Sequence, residues 1–287
     1  MQNNVLNNNL TIIKANRPRW DLELAHLWHY KDLIYLLIRR DFVTSYKQTI
    51  LGPIWIILQA LVGSAVFTVI FGKIANISTD GHPTFLFYLC GMLSWQYFAS
   101  VYGAGCHSLQ GNLALFSKVY FPRFIPPLSQ ALFLVFNLLV QLAVLFLAIY
   151  LFRINYPETN SGPQLGAFFL PLLILQSALL GLGIGFIVSA SSVKYRDLSR
   201  VAGMATQFLM YASPVIYPIS EIPEQYKSYL AWNPLTFIIE TYRELLLGHS
   251  TGCTLNFAIP SILMTVIIFV FGLTLYNRMQ RTYVDFA

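Results

Sequence analysis

Leu109–Pro127 reads LQGNLALFSKVYFPRFIPP, a short basic break between two long apolar runs. On its N-terminal side, residues 83–117 contain no Asp, Glu, Lys or Arg, and on its C-terminal side residues 124–152 contain none either. Charge-free runs of this length read as membrane-crossing helices, because about 20 apolar helical residues reach across the hydrocarbon core. The break between them must then lie at a membrane face. Its Lys118 and Arg123 assign it to the cytoplasmic face, where positive charge is retained.

Outward from this break, six runs qualify as spans, near residues 50–72, 84–105, 127–152, 165–192, 201–217 and 255–276, the fifth being the shortest. Composition agrees: 56% of the 287 residues are hydrophobic and 10% charged, against about a quarter charged in soluble domains. The expected fold is all-α, a polytopic membrane protein with six transmembrane helices. Residues 1–19 are Asn-rich and aperiodic and read as a flexible tail. Residues 20–47 read as a cytoplasmic amphipathic helix lying in the interface, with Leu27, Tyr30, Ile34 and Leu37 at helical spacing and Ile38, Phe42 and Tyr46 on a neighbouring line. Residues 48–287 form the six-helix domain.

Orientation follows from Lys and Arg. With both termini cytoplasmic, fourteen of the eighteen fall inside and only Lys73, Arg153, Lys227 and Arg243 fall outside. The net charge of +6 therefore reports topology, and no nucleic-acid partner is expected, since the basic residues are spread over four separate segments. The three cysteines show no metal or redox spacing, and no metal site is expected.

Three local patterns refine the picture. Trp55, just after Leu51-Gly52-Pro53, sits where an aromatic belt places it. Ser177, Gly181, Gly185 and Ser189 recur at i+4 steps, a small-residue ladder that lets helices approach closely. After the fifth run come Ser213, Pro214 and Tyr217, and then a stretch, 218–248, that alternates apolar and polar positions without a clean span. Within it Asn233 and Pro234 suit N-cap and N1 of a helix. Leu235, Ile238, Ile239, Tyr242 and Leu245 line one face and Gly248 stops it. Glu240, Arg243 and Glu244 would be costly in lipid. Short re-entrant helices in the outer interface, acting as an external gate, accommodate them; a capped surface loop is the plainer alternative.

The chain lacks an energy source. It has no GxxxxGK[ST], no HExxH, no GxSxG and no paired intramembrane carboxylates. No catalytic residues and no cofactor are expected within it. A chain that moves something must then be driven from outside through a cytoplasmic surface, and Leu109–Pro127 is the candidate. Aromatic residues make up 15% of the chain; most read as interface anchors, with a minority available to stack on sugar rings.

These residues carry a resemblance. Arg40-Asp41-Phe42, Tyr46-Lys47-Gln48-Thr49, Leu51-Gly52 and Trp55 resemble the opening signature of the ABC-2 polysaccharide-export permeases. Asn112, Lys118-Val119-Tyr120-Phe121-Pro122-Arg123, Pro127-Leu128-Ser129, Tyr195-Arg196-Asp197, Ser213-Pro214-Val215-Ile216-Tyr217, Asn233-Pro234 and Tyr242-Arg243 follow in the family's order. The sequence departs from the family pattern at Ser45, Ala60 and Phe124. The resemblance, strongest to membrane subunits of O-antigen and teichoic-acid exporters, implies a homodimeric channel in a bacterial inner membrane. Two copies of a separate ATPase would bind ATP and Mg and dock on the cytoplasmic face. It implies ATPase coupling through Lys118, Val119, Tyr120, Phe121, Pro122, Arg123, Tyr195, Arg196 and Asp197. Arg39, Arg40 and Lys47 would meet either the diphosphate headgroup of a lipid-linked glycan or anionic membrane lipids. Trp55, Ser213, Pro214, Tyr217, Asn233, Pro234, Tyr242 and Arg243 belong to the channel and gate. The expected function is export of a polyprenyl-diphosphate-linked polysaccharide, O-antigen first. The alternatives are another ABC-2 cargo (teichoic acid, capsule, drug or lipid) or a membrane-embedded enzyme acting on lipid-linked sugars.

Overall fold

The computed structural model describes residues 28–47, 49, 51–109, 111, 121–156, 162–195, 197–248 and 255–286. The expected tail at 1–19, and Lys118, Val119, Tyr120 and Arg196, lie outside them. Every regular element among the described residues is helical. In order these are α1 (Lys31–Tyr46), α2 (Ile54–Phe67), α3 (Thr84–Cys106), α4 (Ile125–Asn155), α5 (Leu170–Ser192), α6 (Leu198–Tyr211), α7 (Glu224–Ala231), α8 (Pro234–Leu247) and α9 (Leu255–Phe286). A π-helical stretch, Thr68–Ile74, extends α2, and a 3-10 turn, Leu165–Phe169, leads into α5.

Among the described residues four helices are long and apolar enough to cross a membrane: Ile54–Ile74, Ile125–Asn155, Leu165–Ser192 and the Asn256–Met279 part of α9. Helix α3 is as long, at 23 residues, about 34 Å at 1.5 Å per residue. It is less apolar because Tyr88, Trp95, Tyr97 and Tyr102 sit along it, and all four are buried. A helix wrapped by its neighbours does not have to match lipid. The fifth apolar run behaves differently. Its helix, α6, has 14 residues, about 21 Å, short of the roughly 30 Å core.

The bundle is built around α3 and α5, which pack most closely on each other, with α9 on the far side of α5 and α4 on α3. The ladder explains the first contact. A Cβ on Gly185 would stand 2.7 Å from Gly105 Cα, and one on Gly181 3.1 Å from the Tyr102 backbone nitrogen. Ser177 is fully buried, and Ser189 Oγ meets Ser108 Oγ at 3.2 Å. The opposite side of α5 is equally tight, since a Cβ on Gly183 would reach Phe269 Cα of α9 at 2.8 Å. Without lipid–water contrast inside a bilayer, such close backbone contact is what holds helices together.

Helix α1 is not an unpartnered interfacial helix. It packs along α4, with Leu37 buried in the core and the Phe42 ring edge-on to Phe133 and Phe136. The Tyr46 hydroxyl donates to Asn137 Oδ1 at 2.5 Å. Trp28, Tyr35 and Leu36 stay exposed, a lipid-compatible side on a helix that also has a protein side.

Candidate functional site

Two clusters of expected functional residues fall at opposite ends of the bundle. Helix α3 ends at Cys106, α4 starts at Ile125, α5 ends at Ser192 and α6 starts at Leu198. Antiparallel helices joined in this order bring Phe121–Arg123, Tyr195 and Asp197 to one end. Cross-links there include Leu109 N–H to Ser189 Oγ at 3.4 Å and Tyr102 OH to the Ala202 carbonyl at 3.2 Å.

Phe121 and Pro122 are buried, and Phe121 joins the core together with Phe124 and Ile125. Its ring therefore packs into the core of the fold. The Tyr276 hydroxyl of α9 donates to the Arg123 carbonyl at 3.0 Å, so the backbone of the break is tied to the last helix. The Arg123 side chain is half-buried. Tyr195 and Asp197 are exposed; Lys194 Nζ lies 5.3 Å from the Tyr195 ring centre and Arg200 pairs with Asp197 at 3.7 Å. An exposed pair of this kind contributes little to stability, which leaves these side chains available as surface.

On α1, Arg39, Arg40 and Lys47 are exposed. Arg40 donates through Nε and Nη2 to Asp41 Oδ1 at 2.9 and 2.8 Å, so part of its charge is already matched. Trp55, on the first turn of α2, is about half exposed.

At the other end the expected gate residues form a connected structure. Asn233 Oδ1 accepts from Leu235 N–H at 3.1 Å, the N-cap of α8, while its Nδ2 donates to the Ser213 hydroxyl and the Ala212 carbonyl at 3.2 and 3.3 Å. Gly248 closes α8 in the left-handed region, φ 87°, as a C-terminal glycine does. The Tyr217 hydroxyl donates back to the Tyr211 carbonyl at 3.1 Å. Ser213 and Pro214 are buried and Tyr217 is half-buried.

A surface loop does not describe this segment, and neither does a solvated charge at Arg243. Helix α8 buries Glu240, Tyr242 and Arg243 completely along with Leu235, Ile238, Ile239, Leu246 and Leu247. Arg243 Nη1 donates to Glu240 Oε1 at 2.8 Å and Nη2 to the Val215 carbonyl at 2.7 Å, and the guanidinium lies 3.7 Å from the Phe87 ring centre. Burial raises the Glu240 carboxyl above the usual carboxylate range, and the adjacent Arg243 pulls it back. Gly91 makes room for the guanidinium, since a Cβ there would meet Nη2 at 2.6 Å. The i,i+3 spacing of Glu240 and Arg243 is visible in the sequence; that one cation joins three elements is not.

The ABC-2 type transporter membrane family matches residues 32–247. The chain belongs to that family. It is an ABC-2 permease, a transport subunit and not an enzyme, whose ATPase is a separate chain. Among proteins it is similar to, an O-antigen export system permease, RfbA, of Klebsiella pneumoniae is 26% identical over 91% of this chain and 96% of the relative. The Myxococcus xanthus protein of the same name is 24% identical over 79% and 84%. The polysialic acid transport protein KpsM of Escherichia coli is 27% identical over 88% and 95%. The matched span takes in all but the first residue of α1 and runs to the last residue of α8.

Proposed function

We propose that this permease exports a polyprenyl-diphosphate-linked polysaccharide, O-antigen, from the cytoplasm across a bacterial inner membrane. Two copies form the channel and two copies of the ATPase, which bind ATP and Mg, drive it. The observation that carries the reading is length: relatives named for O-antigen export align across nearly their whole chains. Six crossings fit the helices, the second made by the buried α3 and the fifth by α6 with the turn that follows it. Both termini are then cytoplasmic, and Ile219–Glu221, α7 and α8 form the re-entrant outer segment.

In this arrangement the end carrying Phe121–Arg123 and Tyr195–Asp197 faces the ATPase, with Lys118, Val119, Tyr120 and Arg196 completing the coupling surface. Arg39, Arg40 and Lys47 face the inner leaflet, where a diphosphate headgroup or anionic lipid would meet them. The Ser213–Tyr217 turn, Asn233 and Arg243 hold the outer gate, and Trp55 stands at the inner mouth. The KpsM similarity favours a second reading with the same machinery, a capsule-type polymer as cargo.

Deletion of the chain in its host, with surface O-antigen followed by gel and antibody, tests the reading. Loss of surface polymer with build-up of lipid-linked polymer inside, restored by the wild-type chain, is the expected result. Unchanged O-antigen with loss of capsule selects the second reading. Both polymers unchanged removes the polysaccharide cargo.

A further inference from the structure

Between α2, α3 and α4 lies a small open pocket of about 60 Å³. Its polar lining is Gln59 from α2, Gln96, Tyr97 and Ser100 from α3, and Asn137 and Gln141 from α4. Among the described residues, no Asp, Glu, Lys or Arg lines it. Three helices from separate parts of the chain thus aim uncharged amides and hydroxyls at one volume, on elements that are otherwise apolar.

Amides on the surface of membrane helices are costly unless something satisfies them. Gln141 makes the point most sharply. It is 95% buried, its exposure being 5%, and it lines the pocket. By contrast Gln176, buried in α5, donates to Ser261 Oγ at 2.7 Å and reads as helix–helix adhesive. Gln59 and Gln96 are exposed, so this face offers amides where lipid tails alone would pack poorly.

The chemistry of the lining selects a ligand class. An amide offers donors and an acceptor from one side chain, and a hydroxyl does the same. A cluster of such groups without charge fits a neutral array that also donates and accepts, which is what sugar hydroxyls present. Phosphate would call for cations, and those stand apart on α1 as Arg39, Arg40 and Lys47. The two are nonetheless linked, because Tyr46 at the end of α1 hydrogen-bonds to Asn137 in the pocket wall.

We propose that the Gln59–Gln96–Asn137–Gln141 pocket is a saccharide subsite that hydrogen-bonds hydroxyls of the polymer as it passes beyond the cationic face of α1. The inference rests on the polysaccharide reading above and adds to it the place and the chemistry of a contact.

The test uses the chain with its ATPase in membranes that synthesise the polymer. Gln96→Leu and Gln141→Leu keep side-chain size and remove the hydrogen bonds. Export is expected to fall at least fivefold in each, while ATP hydrolysis by the complex continues. Wild-type export in both variants, when the native chain exports, overturns the subsite alone. A native chain that carries no polysaccharide overturns the transport reading and the subsite with it. A second measurement covers leucine variants that fail to accumulate. Gln96→Cys, in a chain whose three native cysteines are alanine, is labelled with a water-soluble maleimide with polymer synthesis on and off. Labelling slowed at least threefold by the polymer supports the subsite. Labelling that is fast and indifferent to polymer marks a water-filled cleft, absent labelling marks a face sealed by a second copy, and either overturns it.

Discussion

Arg243 is held by Glu240, the Val215 carbonyl and the Phe87 ring at once. A cation so placed cannot be removed without leaving Glu240 buried and unmatched, which typically costs about 3–5 kcal/mol. Arg243→Met should therefore lower the thermal stability of the detergent-solubilised protein sharply, read by loss of the monodisperse peak after heating. Glu240→Leu combined with Arg243→Met should recover most of that loss, because paired apolar replacements avoid the uncompensated charge. A double variant no better than the single would mean that the Val215 and Phe87 contacts, not the ion pair, dominate. The sequence supplied the two charges and their spacing. It could not supply Gly91 of α3, 152 residues from Arg243 in sequence, whose missing Cβ leaves the space the guanidinium fills.

Helix α5 is a slab pressed between α3 and α9, and its glycines set both distances. Valine at Gly185 would meet the Gly105 backbone, and valine at Gly183 would meet the Phe269 backbone. Backbone cannot swing aside as a side chain does, so each variant should lose about 1–3 kcal/mol or more, measured by thermal unfolding in detergent. Gly203→Ala on α6, with nothing within 4 Å of its Cβ position, should leave stability unchanged and serves as the control. The i+4 ladder was legible because its period is that of a helix face. Gly183 falls between the rungs, and its partner Phe269 lies 86 positions on, so no local period announces it. The break at Phe121–Arg123 divides in the same way. Its basic character was legible, but burial of Phe121 was decided by the core it meets. Arg123→Glu tests the rest of the segment: the Tyr276 bond is to the backbone carbonyl and survives. Export should drop at least tenfold with the chain still inserted and ATP hydrolysis retained; unchanged export would remove Arg123 from the coupling surface.

At the scale of the whole molecule, the exposed apolar faces of α2, α4 and α9 belong against lipid or a second copy. The complex purified with its ATPase in mild detergent should have the mass of two permease and two ATPase chains, read by light scattering with the detergent contribution subtracted. A chain that purifies alone and at monomer mass, while remaining folded, would overturn the assembly. Charge placement is enough to read a multi-pass protein, since cations outside the bilayer and their absence inside are properties of the chain alone. Which helices face lipid depends on packing. Helix α3 shows this, because its aromatic residues lower its apolar character and only its neighbours make it a buried centre.

The sequence by itself determined that this is a helical membrane protein, where its charge-free runs and basic break fall, and which ordered residues place it among ABC-2 permeases. The helical class and the break follow from hydropathy and local spacing, which need no partner; the family follows from the resemblance of the ordered motifs. The tertiary structure alone decided that Arg243 is a buried clamp and not a surface charge, that α1 docks on α4, and that Gln59, Gln96, Asn137 and Gln141 share one pocket. Each of these depends on contacts between residues tens to hundreds of positions apart, and a chain specifies such contacts only through the packing of its whole fold.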